Sequence, residues 1–468
     1  MKIGIALTRF TILAGMAGLL HCANSPAQAA MQTEKQITHT PKNHNLDNND
    51  NYSPDQRFLC YDTREFVGYG IDNSQSVEKV EIATGKETIL VKAKDPIIGK
   101  EAAPGIGAAT YSPISDKVIL IHGPLVVEVP VRGFYGKPNR RGAEVPGDGS
   151  GKITWVDFRD VDKTRNTIPG AQRGGTHRHE YSFDGKRIGF TYDDFLCSEY
   201  DRNIGYMIEH PKAPKGASHY FAVLLKTAPM GKSKPGEIEK AYSDSWIGKE
   251  GFMRAFIGKV RNPDGETYEE SLFVVDIPES VDITTADSGG PSRYPSPPKG
   301  LTIRRLTQTH AEGIVRGTIQ GDRIAYYAKA ADGTKQIFII ASDGSDQSDK
   351  SNRRPIQATS FEHGAGACVR WHPTGNSIAC FSNDGIAVTC VKPGPKFGKS
   401  VFLTAQGDNA ERGALVWSPD GKHFAYNRPV PTKDESGKIV KTYDGKDCLQ
   451  IFTIDFPDSD NDGIPDGI

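Results

Sequence analysis

Trp417-Ser418-Pro419-Asp420-Gly421-Lys422, followed by the apolar run at residues 423–426, is the clearest copy of the phrase that decides the fold. An aromatic residue leads into Ser, then Pro-Asp-Gly, a polar residue and a strand-forming run. Pro and Asp-Gly supply the backbone angles of a tight turn, and the alternation that follows suits a half-buried strand. Working outward, the phrase returns as Trp371-His372-Pro373-Thr374-Gly375, Tyr181-Ser182-Phe183-Asp184-Gly185, Tyr111-Ser112-Pro113 and Tyr52-Ser53-Pro54-Asp55. A weaker copy is Gln320-Gly321-Asp322. Successive copies lie roughly 45 to 70 residues apart, room for four strands and their loops.

This spacing predicts an all-β propeller. Counting residues 252–260 and 271–277 as the blade in the longest gap gives seven blades; six is the alternative, because that region is the least regular. The last blade runs out of chain after three strands, and Lys35-Gln36-Ile37-Thr38 is available to complete it. Pairing the two termini in one blade leaves no open sheet edge. The expected organisation is an export segment at 1–30, a single ring at 31–457 and an acidic tail at 458–468. Residues 195–250 are expected to be an irregular sector that covers one face of the ring, with a short helix at 235–242.

The Ser-Pro-Asp-Gly-Lys pattern resembles the repeats of TolB-type propellers. Over nearly the whole mature chain the sequence also resembles the YidR-like family. The residues that carry this are Asn43-His44, Ile121-His122-Gly123-Pro124, Arg173-Gly174-Gly175-Thr176-His177-Arg178-His179 and Arg202-Asn203-Ile204-Gly205. Trp246-Ile247-Gly248 and Ala255-Phe256-Ile257-Gly258 add to them. The resemblance implies a TolB-like β-propeller and brings no reaction with it.

Lys+Arg number 57 against Asp+Glu 58, a net charge of −1, so no global basic field is present to draw nucleic acid. Lys2 and Arg9 precede an apolar run at residues 10–20 with a small-residue cut site at Ala27-Gln28-Ala29, which reads as a removable export signal. Cys22 after Leu19-Leu20-His21 offers a lipoprotein alternative. The expected location is therefore periplasmic or secreted, with no membrane insertion once the signal is removed. The six later cysteines show no metal-ligand spacing, and several lie in apolar runs, so buried free thiols are expected.

The sharpest candidate chemistry is Thr176-His177-Arg178-His179. On a regular strand residues i and i+2 share a face, so both imidazoles would reach one metal ion. The pair resembles the metal site of the oligogalacturonate lyases, which implies Mn, with Zn as the other candidate at His177 and His179. Further ligands would come from His44 or His310; His122 and His363 also fall near predicted blade ends. Arg173, Arg178, Arg316, Arg370 and Arg412 fall on or beside inner-strand segments and are candidate ligands for carboxylates or phosphates. At the C-terminus Asp458, Asp460, Asp462 and Asp466 around Gly463 have the spacing of a calcium loop. Asp287-Ser288-Gly289-Gly290-Pro291 mimics a protease nucleophile segment but lies in a Ser/Pro-rich stretch with no matching His segment. Two functions are expected of such a chain. One is a non-enzymatic module that binds a protein or oligosaccharide ligand on the channel face; the alternative is a metal-dependent lyase or hydrolase of acidic oligosaccharides.

Overall fold

The repeat phrase closes its turn with its own side chains. Ser418 Oγ donates to Asp420 (2.6 Å) and accepts the His423 N–H (2.9 Å), while Gly421 takes φ 75°. Ser182 with Asp184 and Ser53 with Asp55 repeat the arrangement. Each such turn joins the innermost strand of a sheet to the second, and the computed structural model shows seven of these sheets. It describes residues 31–47, 50–64, 70–345, 355–442 and 445–468; the expected export signal and Cys22 lie outside the described residues.

Six sheets have four antiparallel strands, numbered here as the second to seventh blades. The first blade has three (Phe58–Asp62, Ser76–Glu81, Glu87–Lys92), and its inner segment is held by single bridges, Asn45 to Asp62 and Tyr52 to Leu59. The blades are radial, and their apolar faces pack on one another. Tyr206 and Tyr220 of the third blade share one buried cluster with Trp246, Phe256 and Phe273 of the fourth. The repeat aromatic also ties neighbours by hydrogen bonds. Trp246 Nε1 donates to Glu180 O (2.9 Å), Trp371 Nε1 to Arg316 O (2.8 Å) and the Tyr181 hydroxyl to Glu144 (2.6 Å).

The ring closes as the sequence predicts. Lys35 and Gln36 pair with Thr453 and Phe452 on the strand Cys448–Asp455, completing the seventh blade. The Ile37 N–H donates to Ile451 O (2.8 Å), and Thr38 Oγ1 accepts the Ile451 N–H (2.8 Å). Glu34 locks the clasp, accepting from Arg412 (2.7 Å), Arg428 (3.0 Å) and the Tyr426 hydroxyl (2.5 Å).

Two expectations need correction. Residues 195–250 are not an insertion: Asn203–Glu209 and His219–Val223 are the outer strands of the third blade, and Ile238–Ile247 is the inner strand of the fourth. The predicted helix at 235–242 is therefore a turn leading into a strand. Pairing of Ile238–Ile247 with Met253–Arg261 buries Ile238, Ala241 and Trp246 against Phe256, a gain that overrides local helix preference. None of the six described cysteines is in a disulfide and all are buried, as the sequence suggests. No helix among the described residues is long and apolar enough to cross a membrane.

Candidate functional site at the central channel

Inner strands line the channel, and they share a device the repeat phrase does not announce. Three residues before the aromatic, Ala108, Arg178, Ser243, Cys368 and Ala414 all have positive φ, between 54° and 74°. At Ala108, Arg178, Ser243 and Ala414 the pairing with the second strand shifts register, the mark of a β-bulge. The bulge reverses the alternation of faces within the strand.

In the third blade this bulge falls between the two candidate metal ligands. His177 lies opposite Thr191 and its Nδ1 contacts Thr191 Oγ1. His179 Nε2 instead meets Thr176 Oγ1 (3.1 Å), whose hydroxyl donates to Asp157 (2.6 Å). Thr176 and His177 are consecutive and point to opposite faces, so His179, on the Thr176 face, is turned away from His177. The expected shared metal site is not assembled. His44 is enclosed near the joined termini, bonded to Glu87 (3.1 Å) and Thr40 (3.0 Å), while His310 is exposed beside Glu269 (3.4 Å). Burial, reinforced by Arg140, pushes His177 well below its ordinary range and His179 down to about 3. Neutral imidazoles suit this interior, but these four residues do not converge on one ion.

The five arginines divide. Arg173 is a structural bolt: fully buried, it pairs with Asp194 (2.9 Å) and donates to the carbonyls of Gly290 and Arg293. The protease-like stretch is thereby pinned to the third blade, with Ser288 Oγ accepting the Gly170 N–H (2.9 Å). Arg412 belongs to the ring clasp, between Glu34 and Asp408. Arg316 bonds a residue the sequence reading missed, Glu180, on which Arg178 and Arg370 act through space while bonded to Asp244 O and Asp50.

Glu180 accepts from Arg254 (3.1 Å) of the fourth blade and Arg316 (3.4 Å) of the fifth, so the second pair skips a blade. Arg370 of the sixth blade reaches Asp50 (3.1 Å) at the first, again skipping one. Burial alone would raise the Glu180 carboxyl, but Arg254, Arg316, Arg178 and Arg370 together hold it below its usual range. Burial and the neighbouring Arg370 and Arg178 push Arg316 well below the ordinary guanidinium value. The signal was present in the sequence as a column. The residue just before the aromatic, or before Gly317 where the fifth blade has none, reads Asn51, Thr110, Glu180, Ser245, Arg316, Arg370 and Val416, a girdle that is polar at all but the last position.

At the repeat-turn end this girdle meets a cavity of about 260 Å³. Its walls are Tyr52, Tyr111, Tyr181, Trp371 and Trp417, with Pro54, Pro113, Phe183, Ile319, Pro373 and Pro419 at the rim and Asp50 among the lining residues. The wall is thus the repeat phrase itself, presented by five of the seven blades, with Gly317 and Ile319 of the fifth blade beside them.

The C-terminal tail does not hang free of the ring. Ile464 is buried and Asn376 Nδ2 donates to Asp462 O (2.8 Å). Gly463 sits so close that a Cβ there would fall 2.0 Å from Thr374 Oγ1 and 2.6 Å from His372 Nδ1, at the cavity rim. Asp458, Asp460 and Asp462 bring carboxylate oxygens within 4.8 Å of one another, the only such group of three among the described residues. Asp466, expected to join them, accepts from Ser459 Oγ (2.9 Å) instead.

A relative, "Uncharacterized protein YidR" of Escherichia coli (strain K12), is 31% identical over 427 residues, covering 84% of this chain and 94% of that protein. The chain belongs to the YidR family. A protein-family model described as a protein of unknown function (DUF3748) matches residues 105–216, the second blade and the three inner strands of the third, the histidine-bearing strand among them. Among solved structures, an oligogalacturonate lyase in complex with manganese aligns at TM-score 0.45 and 10% identity, over 79% of this chain and 99% of that one. A TolB from Acinetobacter baumannii aligns at TM-score 0.37 and 12% identity, over 89% and 85%. A prolyl endopeptidase aligns at TM-score 0.47 and 12% identity over 90% of this chain, which spans 50% of that enzyme's length. For this YidR-family chain the blade count rests on its own sheets, and its site on its own residues.

Proposed function

We propose that this chain is an exported, non-enzymatic binding module that takes an apolar segment of a protein or polymer ligand into the repeat-turn mouth of its channel. The observation that carries this is the 260 Å³ cavity walled by five repeat aromatics and rimmed by prolines. Aromatic and proline walls offer a large, stiff contact area at little entropic cost, as preformed ligand sites do. Beneath the wall, Glu180 with Arg316 and Asp50 with Arg370 are already paired. A ligand therefore need not bring charge to balance the girdle, which favours an aromatic, aliphatic or proline-bearing segment over a polyanion. Export, read from the N-terminal segment, would place the ligand outside the cytoplasm.

The test is selection of peptides from a random library on the immobilised protein, followed by titration with fluorescence read from Trp371 and Trp417. Enriched peptides should carry aromatic or proline residues, change the tryptophan emission and lose at least tenfold in affinity for Ile319→Arg. Peptides that bind Ile319→Arg as well as the wild type would overturn the reading.

A second role is favoured by one specific observation, the convergence of Asp458, Asp460 and Asp462 around the Gly463 turn. These carboxylates are hard oxygen donors suited to Ca²⁺, which would fasten the tail beside His372 and Thr374. Millimolar Ca²⁺ should raise the melting temperature of the wild type and leave Asp460→Asn/Asp462→Asn unchanged; equal behaviour of the two proteins would remove this role.

A further inference from the structure

At the opposite end of the channel the second blade departs from the repeat. Its second and third strands are joined by residues 123–140, which include the helical turns Val126–Glu128 and Val129–Arg132. These turns leave Val127 84% and Val131 91% exposed.

Beside this loop lie three guanidinium groups from three different segments. Arg132 sits on the helical turn, its Nη1 bonded to Glu128 (2.8 Å). Arg141, at the start of the next strand, lies 3.3 Å above the Trp155 ring. Arg159, in the connection to the third blade, is oriented by the carbonyls of Gly174 (2.9 Å) and Pro138 (3.0 Å), with the Phe195 ring 5.2 Å away. Stacking and carbonyls fix Arg141 and Arg159 in place but do not neutralise them. Arg141 Nε and Arg132 Nη2 are buried without a hydrogen-bond partner.

The groups lie close enough to oppose each other's charge. Burial first, then Arg132, lowers Arg159 to about 10, and Arg141 adds to it. Burial and Arg132 likewise lower Arg141, against the pull of Asp157 and Glu128. Glu128 is committed to Arg132 and to the Leu125 N–H (2.8 Å). Asp157 is committed to Thr176 (2.6 Å) and the Gly142 N–H (3.0 Å). The cluster therefore keeps an excess of positive charge in a chain whose net charge is only −1.

We infer that Arg132, Arg141 and Arg159 form a binding site for an oxyanion of the phosphate class, carried either by a soluble ligand or by a lipid headgroup. Three donors on three segments match the several oxygens of a phosphate, which guanidinium groups grip through paired N–H bonds. This site is separate from the aromatic mouth and does not depend on it. Val127 and Val131 beside it would face acyl chains if the phosphate belongs to a lipid.

Two titrations of the full chain at low ionic strength test it: inorganic phosphate by calorimetry, and phosphatidylglycerol vesicles against phosphatidylcholine vesicles by co-sedimentation. Saturable binding of phosphate identifies a soluble ligand; binding confined to phosphatidylglycerol and weakened by Val127→Asp/Val131→Asp identifies a headgroup. Either should weaken at least tenfold in Arg141→Gln/Arg159→Gln. Because removing the Trp155 stack could impair folding, Arg159→Lys, which keeps the charge but loses the fork, should weaken binding with an unchanged melting curve. No saturable binding in either titration, or binding indifferent to all three variants, would overturn the inference.

Discussion

The two mouths of the channel are built by opposite means. The repeat-turn mouth is made of one phrase presented blade after blade, so its wall is aromatic and proline-rich and its few charges are paired across the channel. The other mouth is made of connections that share no pattern, among them residues 123–140, 157–173 and 195–202, and it collects arginines stacked on rings and tied to carbonyls. In a repeat fold the repeat carries packing, and departures from it are where selective chemistry can accumulate.

Removing residues 31–40 should abolish both mouths at once, because it strips the seventh blade of its closing strand and leaves Arg412 without Glu34. Breaking a buried ion pair alone costs about 3–5 kcal/mol, and the lost strand adds to that. Thermal unfolding should show a large loss of stability or no folded protein; an unchanged curve would contradict the closure.

Glu180→Ala should come next and act on the girdle beneath the regular mouth. It leaves Arg254 and Arg316 facing each other without their shared carboxylate, a cost of about 3 kcal/mol by chemical denaturation. Since the folded Glu180 carboxyl lies below its usual range, its contribution is present above about pH 4.5 and fades as pH falls. The variant and wild type should therefore converge in acid; a constant gap across pH would argue against the charge cluster.

The smallest effect, with the opposite sign, belongs to the irregular end. Burial raises Asp157 to about 6. A carboxyl that holds its proton longer when folded loses stability as pH rises from about 4 to 6. Asp157→Asn, still able to bond Thr176, should gain about 1–3 kcal/mol at pH 7 and nothing below pH 4. A loss at pH 7 would mean that the charged form is the stabilising one.

The sequence revealed the ring, the closing strand and the recurring aromatic because each follows from a repeated local rule: turn chemistry, alternation and an unpaired edge. It did not reveal the bulge at Arg178, since positive φ on an arginine, a serine or an alanine leaves no composition signal. That single displaced residue separated His177 from His179 and removed the metal site the alternation implied. Glu180 was missed for another reason: its partners come from blades one and two further round the ring, and only comparison of aligned copies brings them together. Residues 235–242 misled because Glu, Lys and Ala favour helices locally, while the edge of the neighbouring strand decided the outcome.

The central claim, that the two mouths are two independent sites, is tested most directly by crossing the variants with the ligands. Selected peptides and the phosphate-class ligand should each be titrated into wild type, Ile319→Arg and Arg141→Gln/Arg159→Gln. Peptide binding should fall at least tenfold only in Ile319→Arg, and phosphate-class binding only in the arginine variant. Both activities lost together in either protein, or neither lost in its own variant, would contradict the account.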